Sequence, residues 1–192
     1  MNLTESEFTV LRQTIATRGT ARMVLFPVTI LGWAALAGTF TVAGGSPVAS
    51  LFSLGVLTAG FEAIHALHVG VERIGRYLQV FYEGDDDGPK WETTAMSVGP
   101  ALPGGGIDPL FTTVFGCAVI VNLLPALLPL PARLEFAIAA DGTNRAVMVG
   151  VGALHAALIV RLVRARGAAA RQRAVELESY RAIRSRELGG KD

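Results

Sequence analysis

Cysteine is almost missing from this chain: Cys117 is the only one in 192 residues. That excludes an internal disulfide and any cysteine-based metal site. Lying in an apolar run, Cys117 reads as a packing residue. Charge is missing over long stretches. No Asp, Glu, Lys or Arg occurs between Arg22 and Glu62, from Pro109 to Ala132, or between Arg145 and Arg161. A bilayer core of about 30 Å needs about 20 helical residues per crossing, so the first run suffices for one span and most of another. Recognisable catalytic signatures are missing too: there is no nucleophile elbow, Walker loop or zincin helix, which argues against a membrane enzyme. The Gly104-Gly105-Gly106 run has no phosphate-loop lysine and reads as a linker. Asp85–Asp87 lack the spaced ligands and terminal Glu of an EF-hand. The N-terminus lacks the form of a signal peptide, because an acidic amphipathic segment precedes an apolar run too long for an h-region.

What is present is apolar surface. Hydrophobic residues make up 51% of the chain and mean hydropathy is +0.45, too apolar for an ordinary soluble domain. The sequence predicts an all-α integral membrane four-helix bundle with spans at about 23–43, 48–72, 109–128 and 146–163. Residues 1–22 form an expected amphipathic surface helix. It is introduced by the capping box Thr4 and Glu7, carries Phe8, Leu11 and Ile15 at helical spacing, and stops at Gly19. Pro27 falls in the first turns of span one, and Gly44–Pro47 reads as a tight outside turn. Residues 84–108 read as an acidic cytoplasmic loop, with Trp91 an anchor to the membrane surface or to a partner. Leu134–Ile138 form an apolar stretch of the outside loop, and residues 164–192 a basic helical tail.

The formal charge of +1 hides an asymmetry. Between the proposed spans, Lys and Arg number three before Met23, none in the Gly44–Pro47 turn, three from Arg73 to Asp108, two from Pro129 to Arg145 and nine from Arg161 onward. With both termini inside, fifteen lie in the cytoplasm and two outside, as the positive-inside rule requires. The expected location is therefore a membrane with both termini cytoplasmic, such as the bacterial inner membrane. Arg161, Arg164, Arg166 and Arg171 follow span four directly and are expected to meet anionic lipid headgroups. No nucleic-acid-binding module accompanies them.

The richest stretch is Gly60–Glu83. Glu62, His65, His68, Glu72, Arg76, Gln79 and Glu83 fall within about a third of a helix circumference. On the neighbouring face Gly55, Ala59, Ala63, Ala66 and Gly70 repeat as small-xxx-small, the pattern that lets membrane helices approach closely. With Asn122 in span three and His155 in span four, this polar stripe supports four readings. One is a b-type haem held by His65 or His68 together with His155. Another is a metal site: Glu62-x-x-His65 has di-iron spacing, but the second motif of that architecture is missing, leaving a mononuclear set of Glu62, His65 and His155. A third is a proton or cation path along Glu62, His65, His68 and Glu72. The plainest reading has Glu62, His65 and His68 hydrogen-bonding to Asn122, His155 and backbone, fixing how the helices pack. That suits an accessory subunit joined to other membrane subunits, or to itself, through the small-residue faces, the acidic loop and the basic tail.

Overall fold

A computed structural model of the chain describes residues 3–42, 47–83, 90–98, 109–127 and 142–189. Its elements are α1 (Leu3–Val42), α2 (Ala49–Phe81), α3 (Trp91–Val98), α4 (Pro109–Leu127) and α5 (Gly142–Gly189). No strand occurs among the described residues. The expectations for Gly44–Ser46, Asp85–Asp87, Gly104–Gly106 and Leu134–Ile138 fall outside the described residues.

Three helices, α1, α2 and α5, are long and apolar enough to cross a membrane, as in an integral membrane protein. The apolar part of α4, Phe111–Leu124, is shorter. Just 6% of the most apolar window of α1 is buried within the protein, so Val24, Val28 and Leu31 look outward. A surface this apolar fits lipid rather than water.

Two expected boundaries are absent. α1 runs unbroken through Gly19, so residues 3–22 and the first apolar run form one helix, and Pro27 lies in its interior. One interior glycine costs a helix only about 1 kcal/mol. Thr9, Thr14, Thr17 and Thr20 also return their hydroxyls to carbonyls four residues back, which satisfies polar groups along this stretch. The second departure is α3, a helix inside the segment expected to be a loop. Its first turn is capped from a distance: the buried Glu83 carboxylate accepts from the backbone N–H groups of Glu92 and Thr93 at 2.7 and 2.8 Å, and from the Thr93 hydroxyl. A carboxylate satisfies a helix N-terminus well, yet a ligand nine residues away leaves no local sequence signature.

The chain forms two compact units. One comprises 24–63 and 110–164, the other 1–23, 64–109 and 165–192. The first contains four Lys or Arg residues (Arg133, Arg145, Arg161, Arg164), leaving thirteen of seventeen in the second. The contacts thus divide the chain close to where charge-free runs begin or end.

In the charge-poor unit α1 and α2 are antiparallel, Thr29 lying against Gly60 and Gly32 near Val56, with the Phe40 and Phe52 rings 6.2 Å apart. A Cβ on Gly60 would collide with the Thr29 side chain, so this crossing requires glycine. The core combines Leu54, Leu57 and Phe61 of α2 with Phe115, Ala118 and Val119 of α4 and Val151, Leu158 and Leu162 of α5. Phe26 meets Phe111 edge-on at 4.6 Å, and Phe61 meets Phe115 at 5.6 Å. Cys117, expected to pack, is exposed, because Ala118 and Val119 take the buried face of α4.

In the charge-rich unit the first part of α1 again runs antiparallel to α2, through Arg18 beside Gly70, Arg22 at His68 and Glu7 at Tyr82. α2 and α5 are parallel here. Arg76–Glu176, Arg73–Glu176 and Val80–Arg184 are separated by 100, 103 and 104 residues, the near-constant offset of two helices advancing together.

Candidate functional site: the polar seam of α2

In the charge-poor unit the polar groups converge on Asn122, which is only 4% exposed. Its side chain makes four hydrogen bonds, to Trp33, Ser53, the Ser50 carbonyl and His155. The assignment is unambiguous because two partners have one role each. The indole N–H of Trp33 can only donate, so the atom 3.1 Å from it is Oδ1. The Ser50 carbonyl can only accept, so Nδ2 donates to it at 2.9 Å. Oδ1 also accepts from Ser53 Oγ at 2.6 Å, and the second Nδ2 proton goes to His155 Nε2 at 2.9 Å. His155 Nδ1 then donates to the Val151 carbonyl at 2.8 Å, which fixes the tautomer. One asparagine therefore uses both donors and both lone pairs to join α1, α2, α4 and α5, a fully satisfied network.

The occupied ring of His155 bears on cofactor chemistry. A histidine binds iron through a nitrogen lone pair, and the lone pair of His155 accepts from Asn122, so haem ligation requires that bond to be given up. Among the described residues no three His, Cys, Asp or Glu side chains gather as a metal ion would require.

Glu62, His68 and Glu72 take arginine partners rather than Asn122 and His155. Glu62 forms a two-pronged pair with Arg161, Oε1 to Nε at 2.8 Å and Oε2 to Nη2 at 2.9 Å. This fork geometry is favourable, and the guanidinium also lies 5.7 Å from the Phe61 ring centroid. The pair is about half-buried, at 44% and 40% side-chain exposure. In the other unit, His68 Nδ1 meets Arg22 Nη1 at 2.9 Å. An arginine has only protons to give, so Nδ1 is the acceptor and His68 is neutral with its proton on Nε2. His65 is half-buried on the same helix.

Farther along, Arg76 is 3% exposed and is held by Glu72 at 3.1 Å and Glu176 at 2.7 Å. Arg73 adds a second contact to Glu176, and Arg173 lies 3.5 Å from Glu72. Burial alone would raise the Glu176 carboxyl, but hydrogen bonds from Gln172, Arg76 and Arg73 and the charge of Arg76 hold it below the ordinary carboxylate value. Burial pushes the Glu92 carboxyl up. Its partner Arg12, 2.8 Å away, pulls the other way, and Glu83 and Glu72 add to the rise. Burial and the hydrogen bond to Glu7 raise the Tyr82 phenol.

Of the expected residues, Asn122 and His155 bond to each other, whereas the packing reading paired them with Glu62, His65 and His68. Glu62 goes to Arg161 and His68 to Arg22, while Glu72 and Arg76 pair with each other and with Arg173 and Glu176 respectively; Arg164, Arg166 and Arg171 are exposed. Arg161, grouped with the headgroup arginines by sequence, turns to Glu62. The spacing of the stripe does not point to Trp33, Ser53, Arg22 or Glu176. A tryptophan inside an apolar span was a visible signal for the first, because a buried indole N–H needs an acceptor. Comparisons of the chain with protein-family models, with curated proteins and with solved structures find no match.

Proposed function

We propose that this protein is a structural or accessory subunit of a larger membrane assembly. One observation carries the reading. Glu62, His68, Glu72 and Arg76 are each held by side chains of the same chain, whereas Gly55, Ala59 and Ala63 on the adjoining face of α2 are exposed. The chemistry of the stripe is spent on internal cohesion, and the surface left open suits close approach of another membrane helix. In this reading all four apolar segments cross the membrane with both termini and residues 84–108 on the cytoplasmic side, as in a bacterial inner membrane. The fifteen Lys and Arg residues that this topology puts inside, against two outside, support that orientation.

The test is the size of the particle extracted from native membranes in mild detergent. Wild type is expected in a species larger than one chain with fixed subunit proportions. Ala59→Leu/Ala63→Leu is expected to run as a single chain with unchanged helix content. A wild-type protein already running alone, or a variant that assembles normally, defeats the reading. A Soret band that vanishes in His155→Ala would instead support haem held by His65 and His155. A pH-dependent flux through proteoliposomes, lowered by Glu62→Gln, would support proton or cation conduction.

A further inference from the structure

α3 meets the rest of the charge-rich unit through ionisable groups. Its inward-facing side chain is Glu92, 13% exposed. Oε1 accepts from Arg12 of α1 at 2.8 Å, while Oε2 rests over Gly75 of α2, 2.8 Å from where a Cβ would be. Among the described residues no second side chain donates to this carboxylate. The buried Glu83 carboxylate of α2 caps the same turn through the N–H groups of Glu92 and Thr93, and Glu72 of α2 is the third acid acting on Glu92. Lys90, just before α3, is exposed. All of these residues belong to one compact unit.

A single guanidinium is therefore set against burial and two like charges. Arg12 is itself 32% exposed, so water screens its pull. An ionised carboxylate has room for several donors, and this one has one donor residue. Burial, helped by Glu83 and Glu72, outweighs Arg12 and raises the Glu92 carboxyl above its ordinary value of 4.5.

We infer that α3 is a pH-responsive strap, held against α1 and α2 while Glu92 carries its proton and loosened when Glu92 ionises. A carboxyl that binds its proton more tightly with α3 docked than with α3 free favours docking at the acid end. That contribution is lost as pH rises from 4.5 through the higher docked value. Loosening uncovers Gly75 and parts Arg12 and Glu83 from their α3 partners. The inference is independent of the accessory role, which concerns the exposed face of α2 in the charge-poor unit.

The test is hydrogen–deuterium exchange of the full chain in detergent from pH 4.5 to neutrality, with each amide's rate compared with its intrinsic rate at that pH. The amides of Glu92 and Thr93 are expected to lose protection as pH rises, while those of Leu78–Phe81 in α2 keep theirs. Glu92→Gln cannot ionise but still offers Arg12 an acceptor. It should stay protected throughout and exceed wild type at neutrality, the opposite of what losing a simple salt bridge gives. Arg12→Gln should deepen the loss, because the one group favouring ionised Glu92 is gone. A wild-type profile that is flat, or that rises with pH, overturns the inference. So does a Glu92→Gln variant that keeps the wild-type slope or is unprotected at every pH. A loss shared equally by α2 also overturns it, since the whole unit and not the strap would then be opening.

Discussion

Asn122 shows how much one polar residue can organise in an apolar setting. Its four hydrogen bonds draw on four helices, and each interhelical bond of this kind contributes about 0.6 kcal/mol in a membrane protein. Asn122→Leu should therefore cost about 2 kcal/mol, and Trp33→Phe, which removes one bond, about a quarter of that; thermal unfolding in detergent followed by helix content measures both. Equal losses in the two variants would mean that the network is not shared in this way. That Asn122 and His155 need polar partners was legible in the sequence, since neither can sit unpaired among apolar side chains. That Glu62 would choose Arg161, and His68 choose Arg22, was not. Partner choice depends on the register of helices whose connecting segments carry no record of it.

At the scale of elements, α2 is the common neighbour. It receives α1 through close approaches at Gly60 and Gly70, caps α3 with Glu83 and holds α5 through Arg76 and Glu176. Gly60→Ala should destabilise the α1–α2 pair by about 1–3 kcal/mol through overpacking against Thr29. Thr29→Gly in the same chain should recover much of that loss, a coupling readable in a double-mutant cycle. Glu83→Gln weakens the α3 cap by about 1 kcal/mol, so the amides of Glu92 and Thr93 should exchange with deuterium about five times faster. The α2–α5 seam also has a pH signature. Because the Glu176 carboxyl is held below its ordinary value of 4.5, its contribution to stability is present above that pH and is lost as pH falls through the lower folded-state value. An acid titration of stability should be shallower in Glu176→Gln than in wild type over that interval. Helix existence was readable from charge-free runs and apolar spacing; helix ends were not. Gly19 failed to stop α1 because a single glycine is a weak breaker, and α3 formed where composition suggested a loop because its cap comes from the end of another helix.

For the molecule as a whole, the division into a charge-poor and a charge-rich unit follows the alternating runs of the sequence. The proposed orientation predicts that, in a Cys117→Ser background, Ser46→Cys reacts with a membrane-impermeant maleimide in intact cells. Ser185→Cys should react only after permeabilisation; the reverse pattern would invert the topology. Beneath both the orientation and the accessory role lies one claim, that the ionisable stripe of α2 is a seam within the chain and not a path or a ligand shell. Charge reversal at Glu62 and Arg161 tests it most directly. Glu62→Arg and Arg161→Glu should each lower the folded fraction in reconstituted membranes, and Glu62→Arg/Arg161→Glu should bring it back to within about 1 kcal/mol of wild type, since a swapped pair restores the attraction between neighbours. A double variant no more stable than the worse of the two single variants would contradict the account.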